Sequence, residues 1–160
     1  GLQSLAPLKT HILTIDSVIP ETSRSLFQMS KKHRFLFRTM HPKRTYKRGV
    51  LRLFSKKHTL LTQACIENAA MVFSGRFHAM CFCLMYEIPF KMMQSNSYKV
   101  EGTLHDIGLD LDQYMIVVDD LFRIDKHITG SISQQDIGKI RKYIVSAQEK
   151  IDSMFAEIAR

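Results

Sequence analysis

The stretch Asp125–Asp136, DKHITGSISQQD, has the length and layout of a calcium-binding EF-hand loop. An acid comes first, Gly130 stands at the turn, Ile132 two residues on, and an acid comes last. Calcium is held by oxygen charge, yet the third and fifth ligand positions are His127 and Thr129, and the last is Asp136 instead of a bidentate Glu. The stretch therefore reads as a surface loop running into a capped helix. A second candidate is His78, Cys81 and Cys83, with Cys65. Zinc sites space their cysteines by two to four residues and need four ligands; Cys inside the apolar run FHAMCFCLMYE reads as core. Seven His are present, but no nucleophile elbow, phosphate-binding glycine loop, metal-ligand pair or kinase signature accompanies them. These readings predict no catalytic residues, no bound metal, no cofactor and no enzyme activity.

Charge carries the stronger signal. The net charge is +8, and from Thr22 to Ile66 there are twelve Lys or Arg and no acid. Seven of the twelve, Lys43, Arg44, Lys47, Arg48, Arg52, Lys56 and Lys57, crowd into HPKRTYKRGVLRLFSKKH, threaded with Tyr46, Val50, Leu51, Leu53 and Phe54. That density exceeds what solubility requires and predicts a polyanion-binding face, for anionic lipid or for nucleic acid. Between Glu101 and Asp125 the sign reverses: seven acids, Asp106, Asp110, Asp112, Asp119 and Asp120 among them, stand against Arg123 alone. Opposite poles on one chain suit head-to-tail self-association. The connection YEIPFKMMQSNS sets Phe90, Met92 and Met93 around Lys91, the composition of a loop that inserts into a membrane interface or meets a partner.

The elements that must carry these residues read as a single α+β domain over 1–160, with 1–9 an extended N-terminal segment of a trimmed chain. Hydrophobic content of 45% and charged content of 24% are those of a globular chain. No window reaches the roughly 18 apolar residues of a spanning helix, and three Cys, an odd count, suit a reducing compartment. Thr10–Ile19 alternates and reads as a strand ended by Pro20. HRFLFRT and TYKRGVLRLF follow as strands, with a bulge at Gly49, in a twisted antiparallel sheet that has one wet, basic face. A helical stripe of Leu61, Cys65, Ala69, Val72 and Phe73 stops at Gly75. Residues 77–88 fit a buried helix or a buried strand equally, and YKVEGTL and QYMIVVD read as two further strands. Ser133 and Asp136 form a capping box for a long C-terminal amphipathic helix with the stripe Ile137, Ile140, Ile144, Ile151, Met154, Phe155 and Ile158. The expected fold is this antiparallel sheet packed with two or three helices.

The order of basic strand TYKRGVLRLFSKKH, helix LLTQACIENAAMVFSG, apolar RFHAMCFCLM, apolar loop and YKVEGTLHDIGL is similar to the matrix proteins of non-segmented negative-strand RNA viruses. IENAAMVFSGRF resembles the bornavirus helix, and Gly75, Arg76 and Phe77 loosely match the rhabdovirus Gly-x-x-x-Arg-Pro-Phe-Tyr region without its proline; a divergent, plant-type rhabdovirus is the better likeness. The resemblance covers roughly Thr45–Leu109. It implies a virion protein beneath the envelope, at the inner face of host membranes and in the cytoplasm. Such a protein binds anionic lipid, associates with itself, with the viral nucleocapsid and with RNA, and drives assembly and budding. The alternatives from residues alone are a non-sequence-specific nucleic-acid-binding module and a degenerate EF-hand-like interaction protein.

Overall fold

The computed structural model describes residues 11–38, 56–125, 128 and 130–158. Its elements follow in the order β1 (Ile12–Ser17), α1 (Pro20–His33), β2 (Leu36–Arg38), α2 (Lys56–Glu67), β3 (Met71–Gly75), α3 (Phe77–Tyr86), β4 (Phe90–Met92), α4 (Lys99–Ile107), α5 (Leu111–Tyr114), α6 (Val118–Leu121) and α7 (Gln134–Ile158). The sheet is ordered β2-β1-β3-β4, and every pairing in it is parallel.

This corrects the expected antiparallel sheet, and the reason lies in burial. Every residue of β1 and of β3 is buried, so neither strand has a wet face. Strands of a parallel sheet are covered on both sides by their crossover helices and lose polar alternation. Leu13, Ile15 and Val72 join one core with Ile66 of α2, Met80 of α3 and Leu104 of α4. Ile12, Met71 and Phe73 join the other core with Leu26 and Met29 of α1 and Leu121 of α6. The strand order alone requires these two layers, because right-handed crossovers put α1 on one face and α2 and α3 on the other.

Several local readings change with it. Pro20 does not merely end β1; it occupies the first turn of α1, where its missing N–H costs nothing. Val72 and Phe73 lie in β3, not on a helical stripe that continues α2. Gly75 ends that strand because a Cβ there would sit 2.3 Å from Ser17 Oγ, so it is the close approach of β1 and β3 that demands glycine. Residues 77–86 are helical. YKVEGTL lies in α4, closed by Gly108 at φ 78°, and QYMIVVD breaks into the end of α5, a parallel bridge of Met115 to Met92, and α6. Seven helices, not two or three, surround the sheet among the described residues. The long C-terminal helix is present, and Asp136 N–H donates to Ser133 Oγ at 3.0 Å, which makes the expected cap.

Candidate functional site

A parallel sheet whose connections run in opposite directions from two neighbouring strands opens a crevice at their carboxyl ends. Here β1 leads through α1 to β2, while its neighbour β3 leads through α3 to β4. The switch point therefore lies between β1 and β3, at Asp16, Ser17, Ser74 and Gly75.

The most heavily built feature of that edge is an ion pair. Arg76 donates from Nε to Asp16 Oδ1 at 3.2 Å and from Nη2 to Asp16 Oδ2 at 2.9 Å. The Asp16 side chain is 1% exposed and that of Arg76 14%. This planar fork ties the end of β1 to the residue that caps α3. Ser74 reinforces it, since its Oγ accepts from Arg76 N–H at 3.0 Å and donates to the Asp16 carbonyl at 3.4 Å. On the neighbouring strand Ser17 Oγ accepts from Ile19 N–H at 3.1 Å.

Two helices begin at this edge, and neither is capped by its own N-cap side chain: Ile19 precedes α1 and Arg76 precedes α3. The first N–H groups of a helix have no intrahelical acceptor, and the aligned peptide dipoles make that end positive. His78 stands exposed in the first turn of α3, with its ring edge-on to Phe77 at 5.9 Å. Beside the start of α1, a cleft of about 660 Å³ is lined by Ile19, Thr22, Gln94, Glu101, Asp112 and Asp120, among others. Lys91 also lines it and donates to the Gln113 carbonyl. One carboxylate oxygen of Glu101 is buried without a hydrogen-bond partner among the described residues.

The residues singled out by sequence fall in three places. Lys43, Arg44, Lys47, Arg48 and Arg52 lie outside the described residues, while Lys56 and Lys57 open α2. Phe90, Met92 and Met93, expected in a membrane-inserting loop, are buried at 3%, 0% and 1%, the first two in β4 and Met93 directly after it. Of the acids, Asp112 and Asp120 reach the cleft. Asp110 caps α5 by accepting from Asp112 N–H, Asp120 also pairs with Arg123 at 3.1 Å, Asp106 stands 3.9 Å from His105, and Asp119 is exposed. Asp136, the last residue of the EF-hand-like stretch, is spent on Tyr114 Oη at 3.0 Å and Lys139 Nζ at 2.9 Å. Cys65 and Cys83 pack in the core and Cys81 is half-buried; burial pushes the Cys83 thiol well above its ordinary range. Asp16, Arg76 and the switch point were missed by sequence reasoning. The available signal was an acid at the end of one buried apolar run and an Arg immediately after the next, and it becomes readable only once the sheet is known to be parallel.

No family model, curated protein or solved structure matches the chain. The likeness to viral matrix proteins therefore rests on the wording of the sequence alone.

Proposed function

We propose that this is a ligand-binding α/β domain that takes a small organic anion, a phosphate or a carboxylate, at the carboxyl edge of its parallel sheet. The observation that carries the reading is the pair of side-chain-uncapped helix starts, α1 and α3, flanking the β1/β3 switch point. Helix N-termini favour anions through free N–H groups and dipole. His78 adds a titratable donor in the first turn of α3. The Asp16–Arg76 fork is a positioning device, holding the α3 start against β1. The cleft beside α1 receives the rest of the ligand, where Thr22, Gln94 and the acids accept from its hydroxyl or amine groups. The basic residues Lys43–Lys57 lie between β2 and the first turn of α2 in the chain, and they raise the local concentration of anions.

The test is titration of isotopically labelled protein with inorganic phosphate and with phosphate-bearing nucleotides and sugars. Saturable shifts at the amides of Glu21, Thr22 and residues 76–79 are expected. His78→Ala should weaken binding about 10- to 100-fold, since a hydrogen bond to a charged group is worth about 1.5–3 kcal/mol. Shifts spread without saturation over the whole basic surface would remove the proposal.

A second reading, a viral matrix protein on anionic membrane, is favoured by the uncompensated charge of Lys43, Arg44, Lys47, Arg48, Arg52, Lys56 and Lys57. Liposome flotation separates it from the first.

A further inference from the structure

Among the described residues, the distal half of α7 leaves the body of the domain with an apolar seam uncovered. Ile140 is fully buried, but along the same stripe exposure rises from 37% at Ile144 to 46% at Ile151, 61% at Met154 and 77% at Ile158. The spacing of the stripe is heptad-like. Ile137, Ile144, Ile151 and Ile158 recur every seventh residue, with Ile140, Ala147 and Met154 between them, so a and d are apolar throughout. A single helix in water has no use for such a seam.

We propose that a second copy of this chain covers it, as an antiparallel two-helix contact centred between Ile151 and Met154. In that register Ile151 of each copy packs on Met154 of the other, and Ile158 packs on Ala147, a large residue against a small one. The flanking g positions carry Lys150 and Glu157, and the antiparallel register sets Lys150 of one copy against Glu157 of the other, twice by symmetry. A parallel register sets Lys150 beside Phe155 and forms neither ion pair. The antiparallel arrangement also separates the two domain bodies. The Ile140 positions fall about 25 residues apart along the shared axis, about 37 Å at 1.5 Å per residue. The contact is isologous and closes as a dimer.

Sedimentation velocity on the full chain over a concentration series tests this. The expected result is a monomer of 18.5 kDa passing to a dimer as concentration rises. Ile151→Glu with Met154→Glu should stay monomeric with an unchanged melting temperature, because both side chains are exposed in the single copy. Lys150→Glu should weaken the dimer and Lys150→Glu with Glu157→Lys should restore it. Cross-linking fixes the direction: a mixture of Ile151→Cys and Met154→Cys proteins should form disulfides faster than Ile151→Cys alone. A monomer at every concentration, a dimer that survives the double Glu change, or faster cross-linking of Ile151→Cys to itself each overturns the proposal.

Discussion

At the scale of single residues, the Asp16–Arg76 fork is the most deeply buried ion pair among the described residues. Removing one partner of a buried pair leaves an uncompensated charge, at a cost of about 3–5 kcal/mol. Arg76→Ala should therefore lower the urea midpoint strongly, while Arg76→Lys, which keeps the charge and loses the fork, should fall between it and the wild type. Asp136 makes the complementary point about pH. Burial pushes its carboxyl up, but hydrogen bonds from Lys139, Ser133 and Tyr114 outweigh this and hold it below its ordinary 3.8. A carboxyl depressed in the folded state contributes stability above its unfolded value and loses it as the pH falls through the folded one. The melting temperature should thus drop on acidification below about pH 3.8, and Asp136→Asn should flatten that limb of the profile. Burial and the same bond to Asp136 push the Tyr114 phenol upward, so Tyr114 stays a neutral donor throughout that range.

At the scale of elements, α7 is two helices in one. Its first half is anchored: Ile140 is in the core, and Arg141 forks to Glu87 at 2.6 and 2.9 Å. Its second half is not. Ile140→Ala should cost about 2–5 kcal/mol in denaturant unfolding, whereas Ile151→Ala in the monomer should stay within about 0.5 kcal/mol; equal losses would contradict the division. The cap at Ser133 and the stripe of this helix were legible in sequence because local chemistry decides both. β1 was also legible, since Ile12, Thr14 and Ile15 put three β-branched residues within four positions just ahead of Pro20. α1 was not: its buried face includes Thr22, Ser23 and Ser30 beside Leu26 and Met29, so polar residues mask its helical period and it reads as part of a basic stretch. β3 and α4 were exchanged in type for a related reason. β3 is apolar on both faces, and α4 is a short helix whose Val100 and Thr103, with Tyr98 just before it, look strand-like out of context. Tertiary burial overrode local propensity there. The site suffered most, because Asp16 and Arg76 are 60 residues apart and no local pattern joins them.

At the scale of the whole molecule, the two readings of function separate on one experiment. Changing Lys43, Arg44, Lys47 and Arg48 together to Glu should abolish flotation with phosphatidylserine liposomes at physiological salt if membrane is the partner, each cation being worth about 1 kcal/mol near an anionic leaflet. If a small anion at the sheet edge is the partner, saturable phosphate binding at residues 76–79 should survive that change with reduced affinity. The parallel topology has one more outcome, and it concerns time. β1 lies in the middle of the sheet, yet Ser74, which meets it, follows Asp16 by 58 residues. A chain emerging at about 5–20 residues per second completes β1 roughly 3–12 s before β3 exists. During that interval a strand whose every residue is buried in the finished fold, bonded at best to the three residues of β2, offers an open edge to any other nascent chain. The newborn protein is at its most aggregation-prone at the strand that later becomes its most protected, and rescue by a chaperone that shields extended apolar segments should act before residue 75 is made.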